Sequence, residues 1–284
     1  MTFTLPRHTD LDDSFWERYN RHLQNTYQKT TLRTHKCYSR KYAHILTDGN
    51  AQELLILSNR KRQMVMAVLA SLSKFMGCYD YWESIKKRHQ LKWSSNDGLT
   101  FFNNITNGQN LDSMLKWLKN TISKLPEPDA NILIYCTVTG LRPTEACHSI
   151  ELIQTDLDNY LNKNSMMLEH FKYSEQFLRK TKHAFVSIVD NSIIELAQNA
   201  SQRTYNSTRM LLRKQGIEMH MAYCRKIFAT YLRNNGIQPE VIDLLQGRVP
   251  KSVFLRYYYK PDFNHKIMKK HLKSLHTEII DSSN

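Results

Sequence analysis

The sequence is short of glycine and proline, with eight and seven in 284 residues. So few residues that break regular structure favour helices over a β fold built on tight turns. No apolar run approaches the roughly 18 to 20 residues of a membrane span. The start of the chain, MTFTLPRHTDLDD, also lacks the apolar stretch of a signal peptide. We therefore expect a mainly helical, soluble protein of the cytoplasm that has no membrane partner.

Paired cysteines are missing as well. The five cysteines are scattered, none belongs to a CxxC pair, and no Cys/His cluster has zinc-ligand spacing. We interpret them as free thiols in a reducing compartment, most of them buried. The sequence also has neither a GxxxxGK[ST] loop nor a pair of carboxylates spaced for a metal. It therefore predicts no cofactor and no metal.

Acidic residues are outnumbered: 40 Lys and Arg face 26 Asp and Glu, which leaves a formal charge of +14. A polyanionic partner is favoured by such an excess, because each phosphate that Lys or Arg neutralises releases a condensed counterion. The charge therefore indicates nucleic acid, although a soluble protein can also be basic without any such partner.

The hydrophobic pattern predicts a mainly α protein with a small β-sheet. The stretch 94–110 is rich in Ser, Asn and Gly, which is typical of a linker. We place the linker at 101–110, between a helical domain, 1–100, and a second domain, 111–284. Short strands are expected within 165–190, in MMLEHF, EQFLRKTK and AFVSIV. Helices are predicted at 11–29, 31–47, 111–125, 130–138, 192–199, 204–214, 220–235, 238–245 and 264–280.

The segment 60–92 combines an apolar stripe with an excess of positive charge. One face of this segment can pack while the remaining surface stays basic. If the partner is DNA, this surface would contact phosphates, which position a protein but carry little sequence information. The residues predicted to make these contacts are Arg60, Lys61, Arg62, Lys86, Lys87 and Arg88.

Four strings in the second half combine basic residues and tyrosine. They are TGLRPTEA with Arg142, RKTK with Lys180 and Lys182, RKIFATYLRNNGI beginning at Arg225, and QGRVPKSV with Arg248, followed by Tyr257, Tyr258 and Tyr259. Each alone has a plainer interpretation: a helix start with a surface arginine, a basic turn, an amphipathic helix with a basic rim, or an aromatic cluster on the core.

Together the four strings resemble the tyrosine recombinase (phage integrase) family, and most closely the fusellovirus-type integrases of archaeal viruses and plasmids. The resemblance covers about 130–284 through these motifs and the first hundred residues only in general character. It implies a C-shaped clamp made by a helical core-binding domain and a catalytic domain. It also implies that Arg142, Lys182, Arg225 and Arg248 surround one phosphate, which Tyr258 attacks.

Two assignments have an alternative, and one position departs from the pattern. Tyr258 follows Arg248 by ten residues, as in the archaeal pattern GRVPKSV, whereas the bacterial spacing of nine would select Tyr257. Lys180 is the alternative to Lys182. The family usually has His or Lys three residues before the second arginine, but Ala222 stands there and His220 lies two residues further back.

The resemblance implies a recombinase that needs neither metal nor ATP and proceeds through a 3′-phosphotyrosine. Such an enzyme acts on double-stranded attachment sites as a homotetramer, with a monomer allowed for the free protein, and inserts a viral or plasmid element into a host chromosome in the nucleoid. The last helix, with Ile267, Leu272 and Leu275, would dock on a neighbouring subunit or pack in cis. The alternative functions are a type IB topoisomerase and a non-catalytic DNA-binding regulator derived from a recombinase.

Overall fold

The computed structural model describes residues 11–27, 29–92, 110–179, 182–218, 220–249, 252–258 and 265–280. The chain divides into two compact units, Met1–Gly108 and Gln109–Asn284. Of the predicted linker 101–110, only Asn110 belongs to the described residues, where its side chain caps the first helix of the second unit. The clamp arrangement of the two domains stays a prediction.

The first unit is helical throughout its described part. The helix α2 packs against α1 and α5, and α5 packs against α6. The fully buried Tyr19, Leu46, Leu69 and Trp82 lie in its core. The helices are α1 Asp13–Thr26, α2 Lys29–Tyr42, α3 His44–Asp48, α4 Gln52–Leu55, α5 Asn59–Phe75 and α6 Tyr79–Arg88.

The second unit is organised around one buried helix, α8 (Glu127–Thr139). Its sequence ILIYCTV is apolar on nearly every side, and a helix of that kind has to be enclosed by others. The helices packed on it are α7 Leu111–Ile122, α9 Pro143–Thr155, α12 Asn191–Gln198, α14 Ala222–Asn234 and α17 His265–Ile280. The remaining helices are α10 Leu157–Tyr160, α11 Ser174–Phe177, α13 Tyr205–Lys214, α15 Pro239–Leu245 and α16 Val253–Tyr257.

Two small antiparallel sheets lie within the predicted β region. β2 (Met167–Leu168) pairs with β1 (Leu161–Asn162) on one side and β5 (Ser187–Ile188) on the other. β3 (Leu178–Arg179) pairs with β4 (Lys182–His183) in a hairpin. The mainly α fold with a small amount of sheet is therefore confirmed.

The predicted strands were too long. The residues EQF of the predicted strand EQFLRKTK lie in the helical turn α11, and the end of MMLEHF lies in a 3₁₀ turn, His170–Lys172. The buried rings of His170 and Phe177 stack with centroids 4.7 Å apart. Both rings therefore reach the core from helical turns and not from strands.

The last helix, α17, packs in cis. Met268, Leu272, Leu275 and Ile279 are buried against α7, α8 and β5 of the same chain. Ile267, which was grouped with Leu272 and Leu275 in the sequence prediction, is exposed. Within the described residues, the apolar face of this helix belongs to the core of its own unit.

Candidate active site

Arg142 lies in a tight turn between α8 and α9. Gly140 ends α8 in the left-handed conformation at φ +66°, and a Cβ added there would overlap the ring of Phe228 on α14. Pro143 then occupies the first position of α9, where its missing N–H costs nothing. The residues TGLRP therefore form one short turn, which packs against Phe228 of the string RKIFATYLRNNGI.

The guanidinium of Arg142 is held by two acceptors. Its Nη1 donates to Oε1 of Glu145 and to the carbonyl oxygen of His183, both at 2.9 Å. The other carboxylate oxygen of Glu145 accepts from the backbone N–H of Arg142 at 3.0 Å. Because Glu145 is fully buried, the orientation of Arg142 is set before any ligand arrives.

Arg225 joins two of the predicted strings directly. From the first turn of α14 its Nη1 donates to the carbonyl of Gly140 at 2.8 Å, and its Nη2 donates to that of Gln246 at 3.0 Å. The side chain of Gln246 donates back to the carbonyl of Arg225 at 2.8 Å. These bonds bring the turn that carries Arg142 and the turn that carries Arg248 to one guanidinium.

The charges of neighbouring arginines also affect the pKa of Arg225. Burial, and next the positive charge of Arg142, lower the pKa of Arg225 to about 10, with Arg248 adding a smaller effect in the same direction. The carboxylate of Glu145 opposes this shift. Arg225 therefore stays charged at neutral pH among other cations, and a bound anion would relieve their repulsion.

Arg248 follows a glycine turn at the end of α15. Gly247 has φ +67°, and the N–H of Arg248 donates to the carbonyl of Asp243 at 2.8 Å, which is a typical glycine-terminated helix end. A Cβ on Gly247 would overlap the carbonyl of His183 in β4. Arg248 itself donates from Nη1 to Asp243 at 2.7 Å and is otherwise exposed.

The hairpin lysine lies beside this cluster. Lys182 is exposed at the start of β4, next to His183, whose carbonyl binds Arg142 and touches Gly247. Lys180, the alternative lysine, lies outside the described residues. The structure thus brings together the segments of Arg142, Lys182, Arg225 and Arg248.

The tyrosines differ from the basic cluster. Tyr257 ends the short helix α16 and Tyr258 follows it, with 74% and 77% of their surfaces exposed. Neither hydroxyl forms a hydrogen bond with the three arginines within the described residues. Tyr259 and the connection at 250–251 lie outside that part of the chain.

The position three residues before Arg225 lacks the His or Lys of the family pattern. Ala222 is the exposed first residue of α14. His220 precedes the helix and stacks on Tyr223 with ring centroids 4.6 Å apart, and its Nε2 donates to a carboxylate oxygen of Glu218 at 2.9 Å. The neighbouring Trp117 also contacts both rings. His220 is therefore engaged in an aromatic cluster.

The six basic residues predicted to contact DNA lie on α5 and α6 of the first unit. Arg60, Lys87 and Arg88 are exposed, and Lys86 is paired with Glu83 at 2.6 Å. The remaining two, Lys61 and Arg62, are half-buried.

Sequence reasoning did not single out a second basic surface, on α2. Its 14 residues contain no acid, and part of it lines a groove with α1. The residues lining this groove are Asn20, Leu32, Arg33, Lys36, Cys37 and Arg40. Spacing at i, i+3 and i+7 along α2 was the available signal.

Glu145, Gln246 and Arg179 were also missed. Glu145 had a detectable signal, because a carboxylate three residues after a helix start can bind the backbone N–H there. Gln246 and Arg179 belong to the strings QGRVPKSV and RKTK, but their roles gave no signal, since their partners lie 21 and 34 residues away in sequence.

Two kinds of feature are absent from the described part of the chain. It contains no group of three or more His, Cys, Asp or Glu side chains arranged to hold a metal ion. Nor does any of its helices have the length and apolar character needed to cross a membrane.

Comparison with known families bears on the same region. Residues 131–267, which include all three arginines and the tyrosines, match the family model described as archaeal phage integrase. This part of the chain belongs to that family. No curated protein matches the chain. The family assignment supports a role in DNA integration or recombination, with DNA as the partner. We call the second unit, Gln109–Asn284, the integrase unit.

Proposed function

We propose that this integrase cuts and rejoins DNA at specific sites through a 3′-phosphotyrosine on Tyr258. The contacts of Arg225 with Gly140 and Gln246 carry the proposal, because they place the turns of Arg142 and Arg248 around one guanidinium. A cluster of fixed cations suits a phosphodiester, whose transition state gathers negative charge on its non-bridging oxygens.

The arginines would bind the scissile phosphate. Arg142 and Arg225 offer planar forks that can donate two parallel hydrogen bonds to phosphate oxygens, which a lysine cannot match. Since both are already oriented by backbone carbonyls and Glu145, little reorganisation is needed when charge develops. Arg248, tethered only through Asp243, would close on the phosphate from the exposed side.

The covalent step exchanges one ester bond for another. The phenol oxygen of Tyr258 bonds to phosphorus and gives up its proton to solvent or a nearby base, while the bond from phosphorus to the 5′ oxygen breaks. Lys182 would supply the proton that the 5′ oxygen takes up. The phosphotyrosine retains the ester bond energy, so a 5′ hydroxyl from another strand can reverse the step without ATP.

Integration needs more than one copy of the protein. Two duplexes must be cut on both strands, so we propose a homotetramer on paired attachment sites. The basic residues of α5 and α6 would hold the duplex by its phosphates. The reaction would insert a viral or plasmid element into a host chromosome.

The decisive experiment is covalent trapping. Overlapping nicked duplexes from the DNA that flanks the gene in its element would be incubated with the protein and run on a denaturing gel. A nick just downstream of the cut releases a short strand, so the adduct cannot be religated. We expect a protein–DNA band with one duplex that disappears in Tyr258→Phe and persists in Tyr257→Phe.

Other outcomes select other functions. A band lost in Tyr257→Phe and kept in Tyr258→Phe would move the nucleophile by one residue. Relaxation of supercoiled DNA without any need for paired sites would indicate a type IB topoisomerase. Duplexes that bind without forming a band would favour a non-catalytic regulator, for which the open position at Ala222 is the motivating feature.

A further inference from the structure

One buried carboxylate is shared by two arginines from different parts of the chain. Oε1 of Glu145 accepts from Nη1 of Arg142 and from Nη2 of Arg179, both at 2.9 Å. The Glu145 side chain is 1% exposed, and each arginine side chain is 22% exposed. A carboxylate buried to this degree is strongly bound to its cations, because a lost partner would leave an uncompensated charge.

Arg179 lies on the hairpin, directly opposite Lys182. It ends β3, Lys182 begins β4, and the two are register partners in the antiparallel pair. Side chains of directly opposed residues lie on the same face of such a pair, with Cβ atoms about 4.5–5.5 Å apart. A bond that fixes Arg179 to Glu145 therefore also fixes the direction from which Lys182 leaves the hairpin.

The other strand of the hairpin is attached to the same turn. Nη1 of Arg142 donates to the carbonyl of His183, which follows Lys182 in β4. The contacts thus form a closed ring: Arg142 to Glu145, Glu145 to Arg179, across the hairpin to His183, and back to Arg142. Without Arg179, only the second strand would remain tied to the turn of Arg142.

We propose that Arg179 is a positioning residue for Lys182, an inference that rests on the proposed function. Arg179 holds the hairpin against the turn of Arg142, so that the ammonium group of Lys182 lies within reach of the 5′ oxygen when the phosphate is bound by the arginines. Arg179 itself donates a hydrogen bond to Glu145 and does not bind the phosphate. Removal of Arg179 therefore impairs delivery of the proton by Lys182.

A bridging sulfur separates proton delivery from the other steps. In a 5′-phosphorothiolate duplex, sulfur replaces the 5′ oxygen, and a thiolate leaves without needing a proton. Arg179→Gln would be compared with the unchanged protein on nicked duplexes that carry either atom. We expect adduct formation by Arg179→Gln to be about a hundredfold slower on the oxygen substrate, the scale of a misplaced catalytic group, and nearly unchanged on the sulfur substrate.

Three further variants make the comparison specific. Lys182→Ala should show the same rescue by sulfur as Arg179→Gln. Arg179→Lys retains one cation beside Glu145, so it should recover part of the rate on oxygen, and it repeats the comparison if Arg179→Gln does not fold. Arg203→Gln removes a further arginine that binds a buried carboxylate in this unit, Asp129, and should leave both rates unchanged.

The failures can be told apart. If Arg179→Gln and Arg179→Lys lose activity equally on both substrates, Arg179 serves phosphate binding or folding and the inference is wrong. Full activity of both variants on oxygen would overturn it as well. If the unchanged protein forms no adduct with either atom, the proposed function fails, and the inference fails with it.

Discussion

The arginine cluster and the tyrosine segment of the integrase unit are built in opposite ways. Arg142 and Arg225 are half-buried, and each donates to two acceptors. Apart from Glu145, these acceptors are backbone carbonyls at least 21 residues away in sequence. Tyr257 and Tyr258 end a five-residue helix with most of their surfaces exposed. The groups that would stabilise charge are held by the fold, whereas the groups that would attack have few constraints.

This difference has a physical reason. Stabilisation of developing charge requires donors whose orientation is set in advance, since reorganisation during the reaction would raise the barrier. A nucleophile that forms and breaks a covalent bond has to approach and withdraw. We therefore expect changes in the cluster to affect both rate and stability, and changes in the tyrosine segment to affect rate alone.

Among the changes to the arginine cluster and its supports, the largest effect is expected for Arg225→Lys. An ammonium cannot donate in a planar fork to the carbonyls of Gly140 and Gln246 while binding phosphate. Adduct formation on the nicked duplex should fall about 10²- to 10³-fold, as when one preorganised donor is removed from other enzymes. Arg233→Lys, on an exposed face of the same helix, is the control; equal rates for the two variants would show that the cluster is not fixed through Arg225.

Gly247→Ala should come next. Its Cβ would overlap the carbonyl of His183, so the turn of Arg248 and the hairpin must separate. Gly216 has the same φ of +67° but nothing within 4 Å, so Gly216→Ala measures the cost of the left-handed conformation alone, about 1–2 kcal/mol. Thermal unfolding should show a larger loss for Gly247→Ala, and indistinguishable losses would contradict the close contact.

A smaller effect concerns the core that supports the hairpin. Burial lowers the pKa of His170 to about 3, and its ring hydrogen-bonds Tyr160 and Ser187. Unfolded His170 binds a proton near pH 6.5, so between that pH and about 3 the unfolded state holds more protons. Stability is then complete above pH 6.5 and falls as the pH decreases through this window.

Urea unfolding at pH 7 and pH 5 measures this loss, which should be about 1–2 kcal/mol from one group. His170→Gln should reduce the difference between the two pH values, because it removes the titrating group. His148→Gln, at a partly exposed site on α9, should leave the difference unchanged. His35 and His276, whose pKa values burial also lowers, contribute equally to all three proteins. An unchanged difference in His170→Gln would contradict a neutral buried ring.

The smallest change in stability is expected at the tyrosines. Tyr257→Phe and Tyr258→Phe remove exposed hydroxyls, and surface substitutions of this kind usually change stability by less than about 0.5 kcal/mol. Thermal unfolding should therefore not distinguish either variant from the unchanged protein, although one of them loses the adduct. A marked loss of stability in Tyr258→Phe would mean that the tyrosine segment is held as firmly as the arginines.

Much of the local structure could be predicted from the sequence. The helices predicted at 130–138 and 238–245 correspond to α8 and α15, with bounds that agree within three residues. The strands of the β region were predicted in place but too long, since the buried rings of His170 and Phe177 draw their segments into turns. The single helix predicted at 31–47 ends at Tyr42, and a second begins at His44.

The candidate site was accessible to sequence reasoning only in part. The strings around Arg142, Arg225 and Arg248 could be found because family resemblance is carried by short motifs. The partners that orient them could not, because Gln246 and Arg179 act through contacts that join residues far apart in the chain. The choice between Tyr257 and Tyr258 stays a prediction.

By itself the sequence determined the mainly helical class, the excess of positive charge and the residue types that suit a phosphate, since these depend on composition and local periodicity. The tertiary structure decided which of those residues meet. It placed one guanidinium between two turns, shared one carboxylate between two arginines, and packed the last helix on its own unit. Such contacts depend on packing over the whole unit, and no local pattern encodes them.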